Sequence, residues 1–291
     1  MESLYYTNNS PSFISVPVDE FKCLKLQTSD NGIAELIMTS KNKLNLMTDQ
    51  FFNEFIAAFD KIQNDKSIRV VIIWSDGKLF SAGLDLVTAS SSMSTDDTQS
   101  FADQGVAIFK LVRRWQASFD KINKCSKPVI AAVHGHCIGG AVDLITACDI
   151  RLCTSDAAFS IKETKLAIVA DLGTLQRIQR VCGTGFAREM AFTGEPANAS
   201  TAEKFGLVNK VLKDKDELLA EARSMAAKIA ANSPMVVQST KLIMNHAQDH
   251  TIDEGLLRVA LHNSIFLKND DLVEAVGAFT EKRAPIFKSS L

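Results

Sequence analysis

Between His134 and Asp171 the chain gathers residues that could carry out acid–base chemistry on a carbonyl compound. An apolar run, Pro128-Val-Ile-Ala-Ala-Val133, leads into a turn bearing Gly135, Gly139 and Gly140, and Asp143 follows three residues after Gly140. Glu163 and Asp171 stand further on among largely uncharged neighbours. A strand, a glycine turn and a helix start leave unpaired backbone N–H groups facing whatever lies in front of them. The two adjacent glycines permit close approach and unusual dihedral angles there. Asp143 falls within the first helical turn, so its carboxylate can stand near the same spot. Such a site can hold negative charge on a carbonyl oxygen while a carboxylate moves a proton beside it. The residues alone also admit a structural reading: Gly-Gly before a helix is often a tight turn, and an Asp near a helix N-terminus is stabilised by the dipole without catalytic duty. Asp149, at the head of the next strand-like run, is read as a turn or structural carboxylate.

The elements that must position these residues follow from periodicity. Phe21–Gln27 alternates and Ile33–Met38 follows Asn31-Gly32, a hairpin pattern. Thr48 caps a helix running to about Asn64, with Phe51, Phe52, Phe55, Ile56, Phe59 and Ile62 on its apolar face. Arg69–Trp74 is a buried strand. Phe80-Ser-Ala-Gly-Leu-Asp-Leu86 is a second strand-to-helix turn, whose backbone can present another N–H, that of Leu84 after Gly83. The serine-rich Thr88–Gln99 is expected to be a mobile loop or a poorly formed helix. Phe101–Asn123, Gly173–Val181 and Phe186–Phe192 carry helical patterns, and Leu207–Leu212 reads as a strand. From Asp214 the pattern is almost wholly helical. The expected organisation is a flexible lead-in over 1–20, an α/β core over 21–213 and a helical region over 214–291.

Composition narrows the function classes. The chain has 291 residues, 46% of them hydrophobic and 23% charged, as in a soluble globular protein. A net charge of −2 provides no basic field for nucleic acid, and no apolar run is long enough to span a bilayer. The six cysteines show neither C-x-x-C pairs nor metal-ligand spacing, so free thiols in a reducing interior are expected and no metal is implied. His134 and His136 flank the glycine turn as packing or turn residues. Neither a P-loop nor a G-x-S-x-G elbow is present.

Four segments together resemble the crotonase (enoyl-CoA hydratase/isomerase) superfamily from about Phe21 to Phe287. They are Phe80–Leu86, Lys127-Pro-Val-Ile-Ala-Ala-Val-His-Gly-His-Cys-Ile-Gly-Gly140, Ala202-Glu-Lys-Phe-Gly-Leu-Val208 and Phe279-Thr-Glu-Lys-Arg-Ala-Pro-Ile-Phe287. Within the superfamily the acidic set Asp143, Glu163 and Asp171 is most similar to that of the Δ3,5-Δ2,4-dienoyl-CoA isomerases. Enoyl-CoA hydratases generally carry Glu at the first position and Gly near the third. Ala141 departs from the glycine that the family often has there.

The resemblance implies an α/β fold, a spiral of β-β-α repeats forming two sheets, with a helical C-terminal region that drives trimer formation. Homotrimers or homohexamers are the expected assemblies, and an acyl-CoA thioester is the expected partner. It further implies that the N–H groups of Leu84 and Gly140 hold the thioester oxygen, with Ala82, Gly83, Leu84, Asp85 and Leu86 forming a substrate-binding strip. Glu163 is then the base at C2, Asp171 the acid at C6, and Asp143 a neighbour that sets the state of Glu163. No cofactor is called for, since CoA is part of the substrate. Lys282 and Arg283 stand open between binding CoA phosphates and forming a solvated charged tail. The rival readings are an enoyl-CoA hydratase and, from another class, a non-catalytic RNA-binding or scaffold protein of the same fold. Residues 1–19 lack Arg, unlike an Arg-rich mitochondrial presequence. The terminal Ser289-Ser290-Leu291 is similar to the S-K-L peroxisomal address, so a peroxisomal setting is expected, with the mitochondrion or cytoplasm as alternatives.

Overall fold

The hairpin and the apolar runs assemble into one large sheet, seen in a computed structural model that describes residues 13–15, 21–39, 44–93 and 100–288. In chain order the strands are Phe13–Ser15 (β1), Leu24–Ser29 (β2), Ile33–Met38 (β3), Val70–Ser75 (β4), Val129–Val133 (β5), His136–Ile138 (β6), Ile150–Thr154 (β7), Ala158–Ser160 (β8), Ala197–Asn198 (β9) and Lys210–Leu212 (β10). The large sheet has the order β1-β2-β3-β4-β5-β7-β10, and a smaller one has the order β6-β8-β9. The β1–β2 and β2–β3 pairs are antiparallel, whereas β3, β4, β5, β7 and β10 run parallel. Parallel strands need crossovers and are covered on both faces. This explains why β3, β4 and β5 read as near-continuous apolar runs.

Helices Asp49–Asn64 (α1), Leu86–Met93 (α2), Phe101–Lys124 (α3) and Gly140–Ala147 (α4) lie between the strands of the first part. Thr48 caps α1 by accepting the Phe51 N–H, and Ser100 caps α3 by accepting the Asp103 N–H. Phe52 of α1 stacks on Trp115 of α3 at 5.4 Å between ring centroids, and Phe55 meets Phe119 edge-on at 5.9 Å. Each fully buried aromatic ring of this kind is worth about 2–3 kcal/mol in removal from water. The α1–α3 pair is therefore a firm wall for whatever α3 presents on its other side.

Thr174–Cys182 (α5), Thr184–Thr193 (α6) and Ala199–Lys204 (α7) follow, then Lys215–Ala230 (α8), Pro234–Ala247 (α9), Ile252–Phe266 (α10) and Asp270–Glu281 (α11). The helical stretch beyond residue 213 divides in two. Leu218, Ala222, Ala226 and Ala230 of α8 pack on Ile33, Val70, Ile72, Ile130, Ala132 and Leu152, closing the second face of the large sheet. The small side chains at that spacing let the helix lie close to the strands, so α8 is part of the α/β core. By contrast, α10 buries none of its residues.

Two further differences from the sequence reading concern the ends of elements. The lead-in over 1–20 contains β1, whose Phe13 pairs with Ser29. The first half of Thr88–Gln99 belongs to α2; residues 94–99 lie outside the described residues, as does the terminal Ser289-Ser290-Leu291. No helix among the described residues is long and apolar enough to cross a membrane.

Candidate active site

Strand β6 sits between the glycine turns and brings three distant segments together. Ser81 donates its N–H to the His136 carbonyl at 3.1 Å, and Ile138 donates back to the Ser81 carbonyl at 3.1 Å, so Phe80–Leu86 runs beside β6. On the other edge Ile138 registers with Ser160 of β8, and the Gly139 N–H donates to the Ser160 carbonyl at 2.9 Å. Glu163 follows three residues after Ser160, at the start of the short 3-10 turn Glu163–Leu166. The two-sided pairing of β6 therefore sets Gly83, Gly140 and Glu163 around one point.

The backbone at that point is unusual. Gly83 has φ +87°, and a Cβ there would lie 2.5 Å from the Ile138 carbonyl oxygen and 3.4 Å from the Gly140 nitrogen. A Cβ on Gly140 would lie 3.9 Å from the Leu84 nitrogen. The neighbouring N–H groups are engaged: Ala82 donates to Leu44, Gly83 to the Ser81 hydroxyl and Asp85 to Met47. Among the described residues, the N–H groups of Leu84 and Gly140 meet no protein acceptor. Two adjacent free donors, one at the start of α4, have the arrangement that can hold an anionic oxygen. Met47 and Leu172 wall this spot, with Met47 Sδ 3.1 Å and Leu172 Cδ1 3.8 Å from where a Gly140 Cβ would stand.

The three carboxylates are linked electrostatically through Glu163. Glu163 Oε1 lies 3.2 Å from where a Cβ on Gly139 would be, and Glu163 Oε2 is buried with no partner among the described residues. Burial pushes the Glu163 carboxyl above its ordinary range, and the charge of Asp171 pushes it further. Asp171 is itself raised by burial. Asp143, 1% exposed, is pushed up to about 7 by burial, with the Glu163 charge adding to the shift and Thr174 and Arg177 opposing it. Glu163 is thus the middle member of the set, feeling Asp171 on one side and felt by Asp143 on the other. Carboxyls raised by burial suit acid–base work.

Asp143 also supports the fold locally, because its Oδ1 accepts the Thr174 N–H at 2.5 Å, at the head of α5. The helix has only Gly173 at its own cap position, so Asp143 provides the capping acceptor from α4. Three residues of the expected strip contribute differently. Asp85 accepts the Val87 N–H at 3.1 Å at the start of α2, Leu86 is already in that helix and 46% exposed, and Ala82 is tied through its N–H to Leu44. Asp149 accepts the Val129 N–H at 2.7 Å and pairs with Lys241 at 2.6 Å, a structural carboxylate. His134 bonds the Gly77 carbonyl through Nε2 at 2.9 Å. Arg283 is engaged by Glu274 and Glu281. The described residues contain no group of three His, Cys, Asp or Glu able to hold a metal ion.

Sequence reasoning passes over Met47, Gln116, Thr174 and Arg177. Gln116 donates from Nε2 to the Asp171 carbonyl at 2.5 Å, and Arg177 donates from Nη1 to the Leu172 carbonyl at 3.3 Å. These contacts go to backbone groups, which leave no residue-type signal at the receiving end. Only the half-buried polar position of Gln116 beside core Trp115 and Phe119 hints at it.

A family model described as enoyl-CoA hydratase/isomerase matches residues 28–290. A relative from Dictyostelium discoideum, named Delta(3,5)-Delta(2,4)-dienoyl-CoA isomerase, mitochondrial, is 56% identical over 99% of this chain and 99% of its own. An Arabidopsis thaliana relative, named Delta(3,5)-Delta(2,4)-dienoyl-CoA isomerase, peroxisomal, is 42% identical over 93% of this chain and 98% of its own. The crystal structure of an enoyl-CoA hydratase from Bacillus anthracis has a TM-score of 0.82 at 26% identity, covering 92% of this chain and 99% of that one.

Proposed function

The chain belongs to the enoyl-CoA hydratase/isomerase family, and we infer that it is an isomerase converting 3,5-dienoyl-CoA to 2,4-dienoyl-CoA in fatty acid β-oxidation. The observation that carries this reading is the third carboxylate. A hydratase adds water with two acids, whereas here Asp171 stands beside Glu163 as a further raised carboxyl at the same site.

We assign the steps as follows. The thioester oxygen is held by the N–H groups of Leu84 and Gly140, which favour an enolate over the ground state and so acidify C2. Ionised Glu163 takes the C2 proton. The electron pair shifts through the diene, the 3,5 double bonds become 2,4 double bonds, and C6 takes a proton from Asp171. Glu163 ends protonated and Asp171 ionised, and the pair resets through solvent. Asp143, holding its own proton near neutrality, keeps negative charge away from Glu163 while capping α5. The scheme uses no cofactor, because conjugation with the thioester spreads the charge and CoA is the handle.

For the assembly we propose a homotrimer or a pair of trimers built on the C-terminal helices. Ile252, Leu256, Leu257, Leu261 and Ile265 of α10 are 58–82% exposed, and Phe279 of α11 is 87% exposed, large apolar side chains in need of cover. For the compartment we propose an organelle of fatty acid breakdown, and within that choice the peroxisome, in keeping with the relative from Arabidopsis thaliana. The activity is tested by absorbance: purified protein with a 3,5-dienoyl-CoA should build the conjugated 2,4-dienoyl band. Hydration of a 2-enoyl-CoA with no such band would overturn the reading.

A further inference from the structure

We propose that Gln116 and Arg177 are positioning residues which clamp the Asp171 turn, so that they serve the proton transfer at C6 and leave the transfer at C2 untouched. The proposal rests on the isomerase reading above.

Residues 171–174 are held at three backbone groups. Gln116 Nε2 donates to the Asp171 carbonyl at 2.5 Å, Arg177 Nη1 donates to the Leu172 carbonyl at 3.3 Å, and the Thr174 N–H donates to Asp143 at 2.5 Å. None of these contacts engages the Asp171 carboxylate. Ala170 and Leu172, each 5% exposed, anchor the turn in the core on either side of Asp171, while Ile168 and Val169 before them are 41% and 73% exposed. The packing fixes where the turn sits, and the polar contacts to the Asp171 and Leu172 carbonyls fix the orientation of the peptide that carries Asp171.

Both clamp side chains are themselves held. Gln116 follows Trp115, which is 2% exposed and bonded through Nε1 to Asp49 at 2.7 Å, and its own Oε1 accepts from Arg113 at 2.7 Å. Arg177 donates from Nη2 to Asp120 at 2.8 Å, one helical turn further along α3. Asp120 and Gln116 lie four residues apart on one face of that helix, so α3 grips the turn at two points. Gly173, with φ +118°, makes room for the grip, since a Cβ there would occupy the space of the Arg177 guanidinium. A carboxylate on a loop reaches catalytic accuracy only when a rigid element fixes it, and a displacement of about 1 Å can lower a rate about 100-fold.

The two proton transfers can be read separately. Deuterium wash-in at C2 of a 3,5-dienoyl-CoA in D2O reports removal of the C2 proton by Glu163, and the 2,4-dienoyl band reports completion at C6. Gln116→Met removes the donor with little change in shape. It should lower formation of the 2,4-dienoyl product about 10- to 100-fold while wash-in stays within about twofold. Added to Asp171→Asn, it should leave C2 wash-in within about twofold of that single variant, because the group it positions is gone. Arg177→Lys keeps the charge facing Asp143 but loses the fork, and should show the same split. An equal fall in both readouts, or a further loss of wash-in in the Asp171→Asn background, would overturn the clamp. A wild-type enzyme that washes in deuterium but forms no 2,4-dienoyl product would instead overturn the isomerase reading, and the clamp with it.

Discussion

Replacing Asp143 by Asn should remove a pH-dependent instability that the wild type carries. The Asp143 side chain is 1% exposed, and burial pushes its carboxyl from 3.8 to about 7. Between those values the folded chain keeps a proton that the unfolded chain has released. Stability from this group is thus fully present below about pH 4 and is lost as pH rises through 7. About two pH units of that range lie between pH 5 and pH 7, which at 1.36 kcal/mol per unit amounts to about 3 kcal/mol. Asn at 143 has no proton to lose, yet its Oδ1 can still accept the Thr174 N–H that Asp143 accepts now. Denaturant unfolding of both proteins, at pH 5 and pH 8 and at one protein concentration, isolates the effect. Glu163 and Asp171 are raised in both proteins, so their own contributions largely cancel in the difference. The stability of Asp143→Asn relative to wild type should rise by about 3 kcal/mol between the two pH values. A relative stability unchanged across that interval would refute the inference that burial raises this carboxyl in the folded chain.

Further outcomes follow from the same geometry. Glu163→Gln should lower kcat for isomerisation by about 100- to 10,000-fold with KM little changed, because general-base removal of the C2 proton is lost; steady-state kinetics on a 3,5-dienoyl-CoA check this. Gly83→Ala forces a Cβ to 2.5 Å from the Ile138 carbonyl at φ +87°. It should destabilise the fold by about 1–3 kcal/mol and displace the Leu84 N–H, reducing kcat by about 100-fold, as read by unfolding and kinetics together. Because Glu163 must be ionised to act, C2 deuterium wash-in should fall on acidification along a limb lying above the ordinary value of 4.5; a limb at or below that value would contradict the buried placement of the base. Replacing Leu261 and Ile265 with Asp should give a smaller species by analytical ultracentrifugation, since these exposed side chains lie on α10.

The parts of the site that are legible in the sequence share one property: the informative group is the residue type itself. Gly139-Gly140, Gly83 and the acids at 143, 163 and 171 announce themselves by side chain or by its absence, and the apolar runs announce β3, β4 and β5. The hairpin and the α1 cap at Thr48 are also readable, because their chemistry is local. What stays hidden acts over distance on the backbone. The Gln116–Asp171 and Asp143–Thr174 contacts join positions 55 and 31 residues apart, and each ends on a main-chain atom. Strand β6 is three residues long and sits between glycines, too short for alternation to show, yet its pairing brings the Leu84 and Gly140 N–H groups beside Glu163. Strand β1 escapes notice for a similar reason, being three residues in a polar stretch. The role of α8 is hidden because a row of alanines reads equally as a core face and as an exposed helix.

The central claim is a division of labour, with Glu163 working at C2 and Asp171 at C6. It is tested most directly by nuclear magnetic resonance of a 3,5-dienoyl-CoA incubated with Asp171→Asn in D2O. Deuterium should enter C2 at close to the wild-type rate while 2,4-dienoyl product fails to form. Product formation at the wild-type rate, or the loss of C2 exchange along with it, would contradict that assignment.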